Sequence, residues 1–336
     1  MEKNSMSDFF SRLDEYAKKG WIPEKFQKIL GEFYSNYKRE LDNHGLDIEK
    51  QTPLFTTYLE LIRKQIESPY PFEPYHKQIC APFDYYTFGI DFLRPLIDMN
   101  HSSLVGLKEL DQIAQQLKKG DNVILFANHQ IEADPQAISI LLEKSHPEIG
   151  KQMIFVAGDR VVTDPLAVPF SLGRNLLCIY SKRYIDHPPE QKLQKQLHNK
   201  RTMELMSELL SMGGKVIYVA PSGGRDRPNA EGIVEVAKFD PQSIEMFYLM
   251  AKKAAHPTHF YPLALATYDL LPPPETIQVE LGETRRTKRG GIHLACGAEI
   301  EMENFSDTDY KDKHSRREAR ADFIWSQVNE AYRQFI

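Results

Sequence analysis

Residues 126–138 read FANHQIEADPQAI, and the way the chain enters and leaves them decides the fold. The apolar run NVILF (122–126) that leads in reads as a buried strand. DPQAISILLEK (134–144) leads out as a helix with proline at its first turn, where the missing N–H costs little. Between them a single turn holds His129, Glu132 and Asp134. A strand, a polar turn and a helix make one unit of an α/β domain.

The same alternation continues on both sides. LVGLKELDQIAQQLKKG (104–120) reads as a helix before the strand. After it come QMIFVAG (152–158) and NLLCIYS (175–181) as strands, a long helix over 190–214, and the strand KVIYVAPSGG (215–224). SIEMFYLMAKKA, FYPLALATY, IQVELGE and IHLACGAEI extend the pattern, and a charged helix closes the chain. Continuous apolar strands separated by helices predict an α/β fold, with a mixed central sheet flanked by helices.

Upstream, the period changes. Phe26, Ile29, Leu30, Phe33, Tyr34, Tyr37 and Leu41 recur every three or four residues, as do Leu54, Phe55, Tyr58, Leu59, Ile62 and Ile66. Two such stripes cannot bury themselves alone, so residues 1–76 are expected to form a small N-terminal helical bundle. The segment 68–86, with four prolines, reads as the connector, and 77–336 as the α/β domain. There is no internal repeat or low-complexity tract.

Composition narrows the function. The chain has 336 residues, 41% hydrophobic and 26% charged, with a formal net charge of -5. That balance argues against a general nucleic-acid binder. Cys80, Cys178 and Cys296 are odd in number and widely spaced, which predicts a reducing compartment and three small buried hydrophobes. No apolar run reaches the about 18 residues needed to span a bilayer. The N-terminal residues carry early acids and no apolar core of a secretory signal. The expectation is a soluble protein of the cytoplasm, or of the plastid stroma if a transit peptide has been removed.

Three clusters carry candidate chemistry; GxxxxGK[ST], GxGxxG after a strand, GxSxG and HExxH are absent. At the turn, two readings of Asp134 stand: a helix N-cap before Pro135, or the carboxylate partner of His129. In the second, His129 is a general base with its tautomer held by Asp134, and no serine or cysteine stands by as nucleophile. His129, Glu132 and Asp134 could also ligate a divalent ion, but no second His or Cys cluster accompanies them, so no metal or cofactor is expected. APSGGRDRP (220–228) ends another strand with small residues beside Arg225 and Arg227, a pattern suited to phosphate or to a surface turn paired with acids such as Asp226. Around a third strand end, Arg174, Lys182 and Arg183 would join them if the two strands were neighbours. The basic runs RRTKRGG (285–291) and KHSRREAR (313–320) are expected to be solvated, the former open to an acidic protein or an anionic membrane surface.

NHQIEADP resembles the His-four-residues-Asp block of the glycerolipid acyltransferases, and its wording resembles that of the soluble plastid-type glycerol-3-phosphate acyltransferase family and its bacterial relatives. AGDRVVTDPLAVPFSLGRNLLCIYSK, APSGGRDRP and YPLALATYDLLPPP resemble that family's other blocks in the same order, so the likeness spans about residues 120–275. The resemblance implies acyl transfer from acyl carrier protein or coenzyme A thioester to the sn-1 hydroxyl of glycerol-3-phosphate, without a cofactor. It further implies transient membrane-surface contact, because the product is a lysophosphatidic acid. By motif, His129 stands as the base, Asp134 as its orienting carboxylate, and Arg225 and Arg227 as phosphate ligands. Where the family has a Lys-His pair on the phosphate, this chain has Arg183 and Tyr184. The alternative is a non-catalytic module that binds acyl carrier protein or lipid on the same fold.

Overall fold

The structure is a computed structural model that describes residues 5–181, 185–274, 281–306, 310 and 312–336. Three helices come first: α1 (Ser5–Lys18), α2 (Glu24–Asn43) and α3 (Thr52–Glu67). Then β1 (Tyr75–His76), α4 (Tyr85–Leu93), β2 (Ser103–Val105) and α5 (Leu107–Lys119) lead to β3 (Asn122–Ala127). The chain continues through α6 (Asp134–Leu142), α7 (Pro147–Gln152), β4 (Ile154–Gly158), α8 (Asp159–Thr163), α9 (Val168–Ser171) and β5 (Asn175–Ile179). After α10 (Lys192–Met212) and β6 (Val216–Val219) come β7 (Arg227–Pro228), β8 (Val234–Glu235) and α11 (Pro241–Lys253). The last elements are β9 (Thr258–Ala266), β10 (His293–Cys296) and α12 (Lys313–Arg333).

Among the described residues one eight-stranded sheet forms, in the order β1-β5-β4-β6-β3-β9-β10-β2, and β7 and β8 pair as a separate ribbon. The five central strands, β5 to β9 in that order, run parallel; β1 runs against β5 and β10 against β9, and β2 is parallel to β10. This is the mixed sheet the apolar runs predict. The runs are continuous because both faces are covered: Val123, Leu125 and Ala127 of β3 face one core, Ile124 and Phe126 the other. α10, α11 and α12 cover the second face, with Met206, Leu210, Phe247 and Ile324.

The first face carries α4, α5 and α6 together with the N-terminal helices, whose two stripes are buried as the spacing requires. The stripes meet an aromatic group in α4 that sequence periodicity did not bring out. The Phe55 and Phe92 rings lie 4.8 Å apart, and the buried Tyr58 hydroxyl donates to the Leu166 carbonyl at 2.7 Å. Tyr75 and His76 pair with Leu177 and Leu176, so the first sheet residues lie inside the proline-rich connector.

Several expectations change. Val105 belongs to a strand rather than to the helix that follows, because Gly106 takes the left-handed conformation and starts α5 behind it. Cys80 is exposed, whereas Cys178 and Cys296 are buried. Neither basic run is merely solvated: Arg285 and Arg320 are buried among carboxylates, and Arg289 pairs with Asp98. Most of IQVELGE lies outside the described residues. Among the described residues no helix is long and apolar enough to cross a membrane.

Candidate active site

Parallel strands present their carboxyl ends at one edge of a sheet, the usual place for ligands in open α/β sheets. Here that edge gathers the turn after β3 (His129), the segment after β4 (Arg160), the loop after β6 (Arg225 and Arg227) and the residues after β9 (Thr267).

The turn after β3 folds back on Asp134. Its Oδ2 accepts from the Gln130 amide at 2.8 Å, from the Ile131 amide at 3.2 Å and lies 2.8 Å from His129 Nδ1. Its Oδ1 accepts from the Thr267 hydroxyl at 2.6 Å. The amides Asp134 binds precede it, and no side-chain cap bond opens α6, so its carboxylate serves the turn and not the helix end. Because an ionised carboxylate only accepts, His129 Nδ1 must carry the proton, which leaves Nε2 with its lone pair. The His129 side chain is 30% exposed and that of Asp134 1%, so the carboxylate is dry while the ring reaches the surface. Among the described residues His129 Nε2 makes no hydrogen bond.

A second carboxylate, Asp226, supports the turn from below. It lies in APSGGRDRP but turns inward, away from Arg225 and Arg227 with which the surface-turn reading paired it. Asp226 Oδ2 accepts from Asn128 at 2.8 Å and Gln130 at 3.2 Å, Oδ1 accepts from the Ala237 amide, and the Asp226 amide donates to the His129 carbonyl. Burial pushes this carboxyl up to about 6. Asn128 also bonds both ways with Leu265, and Gln130 accepts from the Thr267 and Tyr268 amides. The asparagine and glutamine of NHQ thus lock β3, β6 and β9 together around the histidine. Sequence patterning offered no sign of this, since Asn and Gln next to His read as ordinary turn residues.

The third expected member of the turn is engaged elsewhere. Glu132 accepts from the buried Arg285 at 2.9 Å, so it does not converge with His129 and Asp134. Among the described residues no group of three or more His, Cys, Asp or Glu is placed to hold a metal. Burial alone would lower the Arg285 pKa, but Glu132 and Asp164 more than offset it and the group stays charged.

Arg225 and Arg227 do stand at the same edge. Arg225 donates to both oxygens of the buried Glu283 at 2.8 Å, and Arg160 lies 3.8 Å from that carboxylate. Arg227 donates to the Pro274 carbonyl, and among the described residues no carboxylate lies within ion-pair distance of it. Burial, and then Arg225, lower its pKa. Arg183 and Tyr184 lie outside the described residues, as does Lys182. Their strand β5 is not the neighbour of β6: β4 stands between, which separates the two by about 10 Å. Among the described residues Arg160, just after β4, is the cation next to the β6 loop, sharing Glu283 with Arg225. Arg174 belongs to the opposite edge, one strand length of about 16 Å away, where it is buried against Ser139 and the Tyr86 ring.

A family model described as Acyltransferase matches residues 110–266, from α5 through the end of β9. Fold, turn and match together define an acyltransferase. Over nearly its whole length the chain is similar to chloroplastic glycerol-3-phosphate acyltransferases of plants. It is 38% identical to that of Arabidopsis thaliana, over 99% of this chain and 73% of the relative. For Pisum sativum the figures are 37%, 97% and 72%, and for Spinacia oleracea 36%, 98% and 70%. The chain belongs to the glycerol-3-phosphate acyltransferase family.

Proposed function

We propose that the protein transfers a fatty acyl group from an acyl carrier protein or coenzyme A thioester to the sn-1 hydroxyl of glycerol-3-phosphate, giving 1-acyl-glycerol-3-phosphate. The observation that carries this reading is the His129–Asp134 pair, with Nε2 open, on the strand edge that also bears Arg225 and Arg227. His129 Nε2 takes the proton of the sn-1 hydroxyl as its oxygen bonds to the thioester carbonyl carbon. The tetrahedral oxyanion then collapses, the C–S bond breaks, and the imidazolium returns its proton to the departing thiolate. Asp134 balances the charge that His129 gains in between. Arg225 and Arg227, with Arg183 and Tyr184 by motif, hold a phosphate that carries about two negative charges. The substrate is water-borne, in plastid stroma or cytoplasm, while the product has an acyl chain that favours brief contact with a membrane surface.

Free-thiol release from palmitoyl-coenzyme A, and then from palmitoyl-acyl carrier protein, tests the reading with and without glycerol-3-phosphate. Release should require glycerol-3-phosphate, survive a chelator, and fall by about 10²–10⁴-fold in His129→Ala. Binding of either donor without release, unchanged in His129→Ala, would instead identify a non-catalytic module.

A further inference from the structure

Arg285 lies in the run RRTKRGG, yet its side chain is buried where three segments of the site meet. Its Nη2 is 2.9 Å from Glu132 Oε2, on the turn that holds His129, and 3.7 Å from Asp164 Oδ2, on the segment after β4. Its Nη1 donates to the Glu283 carbonyl at 3.0 Å, and the Glu283 carboxylate is the one that grips Arg225. Asp164 in turn accepts from the Gly282 amide at 2.9 Å. Residues 282–289 therefore form a strap across the site. Its far end is fastened to α2, where Thr287 bonds Asn36 and the Arg289 amide donates to Glu40.

We infer that Arg285 is a positioning residue for glycerol-3-phosphate: its guanidinium ties the base turn to the strap, and through Glu283 sets the place of Arg225. The inference rests on the acyl-transfer reading above. Arg160, Arg225 and Arg285 are paired with Glu132, Asp164 and Glu283, and Arg227 stands beside Arg225. Without Arg285, Glu132 and Asp164 lose their cation, and Arg225 and Arg160 are drawn toward them and away from a phosphate. A planar fork is needed, because two carboxylates and a carbonyl are reached by two nitrogens of fixed geometry. The acyl donor touches none of these groups in this account, so the defect should be confined to one substrate.

The experiment measures KM for glycerol-3-phosphate, KM for the acyl donor and kcat in wild type, Arg285→Met and Arg285→Lys, alongside thermal unfolding with and without glycerol-3-phosphate. Wild-type release that depends on glycerol-3-phosphate establishes the underlying reading; its absence sinks that reading and not this one alone. Given it, Arg285→Met should raise KM for glycerol-3-phosphate by about tenfold or more and remove most of the thermal protection it gives. KM for the donor should stay within about twofold, and Arg285→Lys should fall between. Unchanged KM for glycerol-3-phosphate in either folded variant would overturn the inference, as would an equal rise for both substrates. If Arg285→Met fails to fold, Arg285→Lys decides by the same criterion.

Discussion

Asp134 and Asp226 sit either side of the same turn and face opposite demands. Asp134 receives four donors, which stabilise its charge and leave its partner histidine one orientation. Asp226 is as deeply buried, and that burial pushes it up to about 6 from 3.8. Its proton is therefore held more tightly in the folded state than in the unfolded one. Below about pH 4 both states are protonated and the group is neutral to stability. Between about pH 4 and 6 the unfolded carboxyl ionises while the folded one keeps its proton, so stability falls, by about 3 kcal/mol in all once the folded group ionises as well. Asp226→Asn removes the titration. Unfolding by urea at pH 4.5 and 7.5 should show wild type losing about 2 kcal/mol more than the variant over that interval. Equal losses in the two proteins would mean that Asp226 is ionised throughout.

At the scale of elements, close approach between neighbours sets the strand ends. Gly106 has φ +88° and begins α5, and a Cβ there would stand 2.1 Å from the Cys296 carbonyl oxygen at the end of β10. Gly106→Ala should destabilise the protein by about 3 kcal/mol, from left-handed strain plus overpacking, read as a lower urea midpoint at unchanged m-value. Little change would show that β10 has room to move off α5. Legibility also varied by element. β3, β4, β5 and β6 announced themselves because strands covered on both faces are apolar throughout. α4 did not, because YYTFGIDFL is apolar on nearly all sides, buried between the N-terminal helices and α6, and so shows no helical period. The short β1 and β2 carry too few residues to display any.

For the whole molecule, the N-terminal helices matter through what they cover and what they fasten. Phe33 and Phe55 lie against Phe92, and Asn36 and Glu40 of α2 hold the strap that carries Glu283 and Arg285. Deleting residues 1–67 would uncover Phe88, Phe92 and Leu96 together and free the strap. The shortened protein is expected to elute as aggregate from a sizing column and to bind a hydrophobic dye. A monodisperse, cooperatively unfolding product would show instead that the α/β part completes its own core.

The sequence by itself determined the α/β class and the helical N-terminal segment, and it offered the His129–Asp134 pairing as one of two readings of the strand-to-helix turn. Each is local: periodicity is read within one element, and five residues of tight turn leave the two side chains few ways to miss each other. Which strands became neighbours was decided only in three dimensions, and with it the identity of the cation next to the β6 loop, Arg160 rather than Arg174. The partners of Glu132, Asp226 and Arg225 were decided there as well. Their side-chain partners lie about 60–150 residues away along the chain. Charges pair by distance in space, and no rule of spacing along a chain reports it.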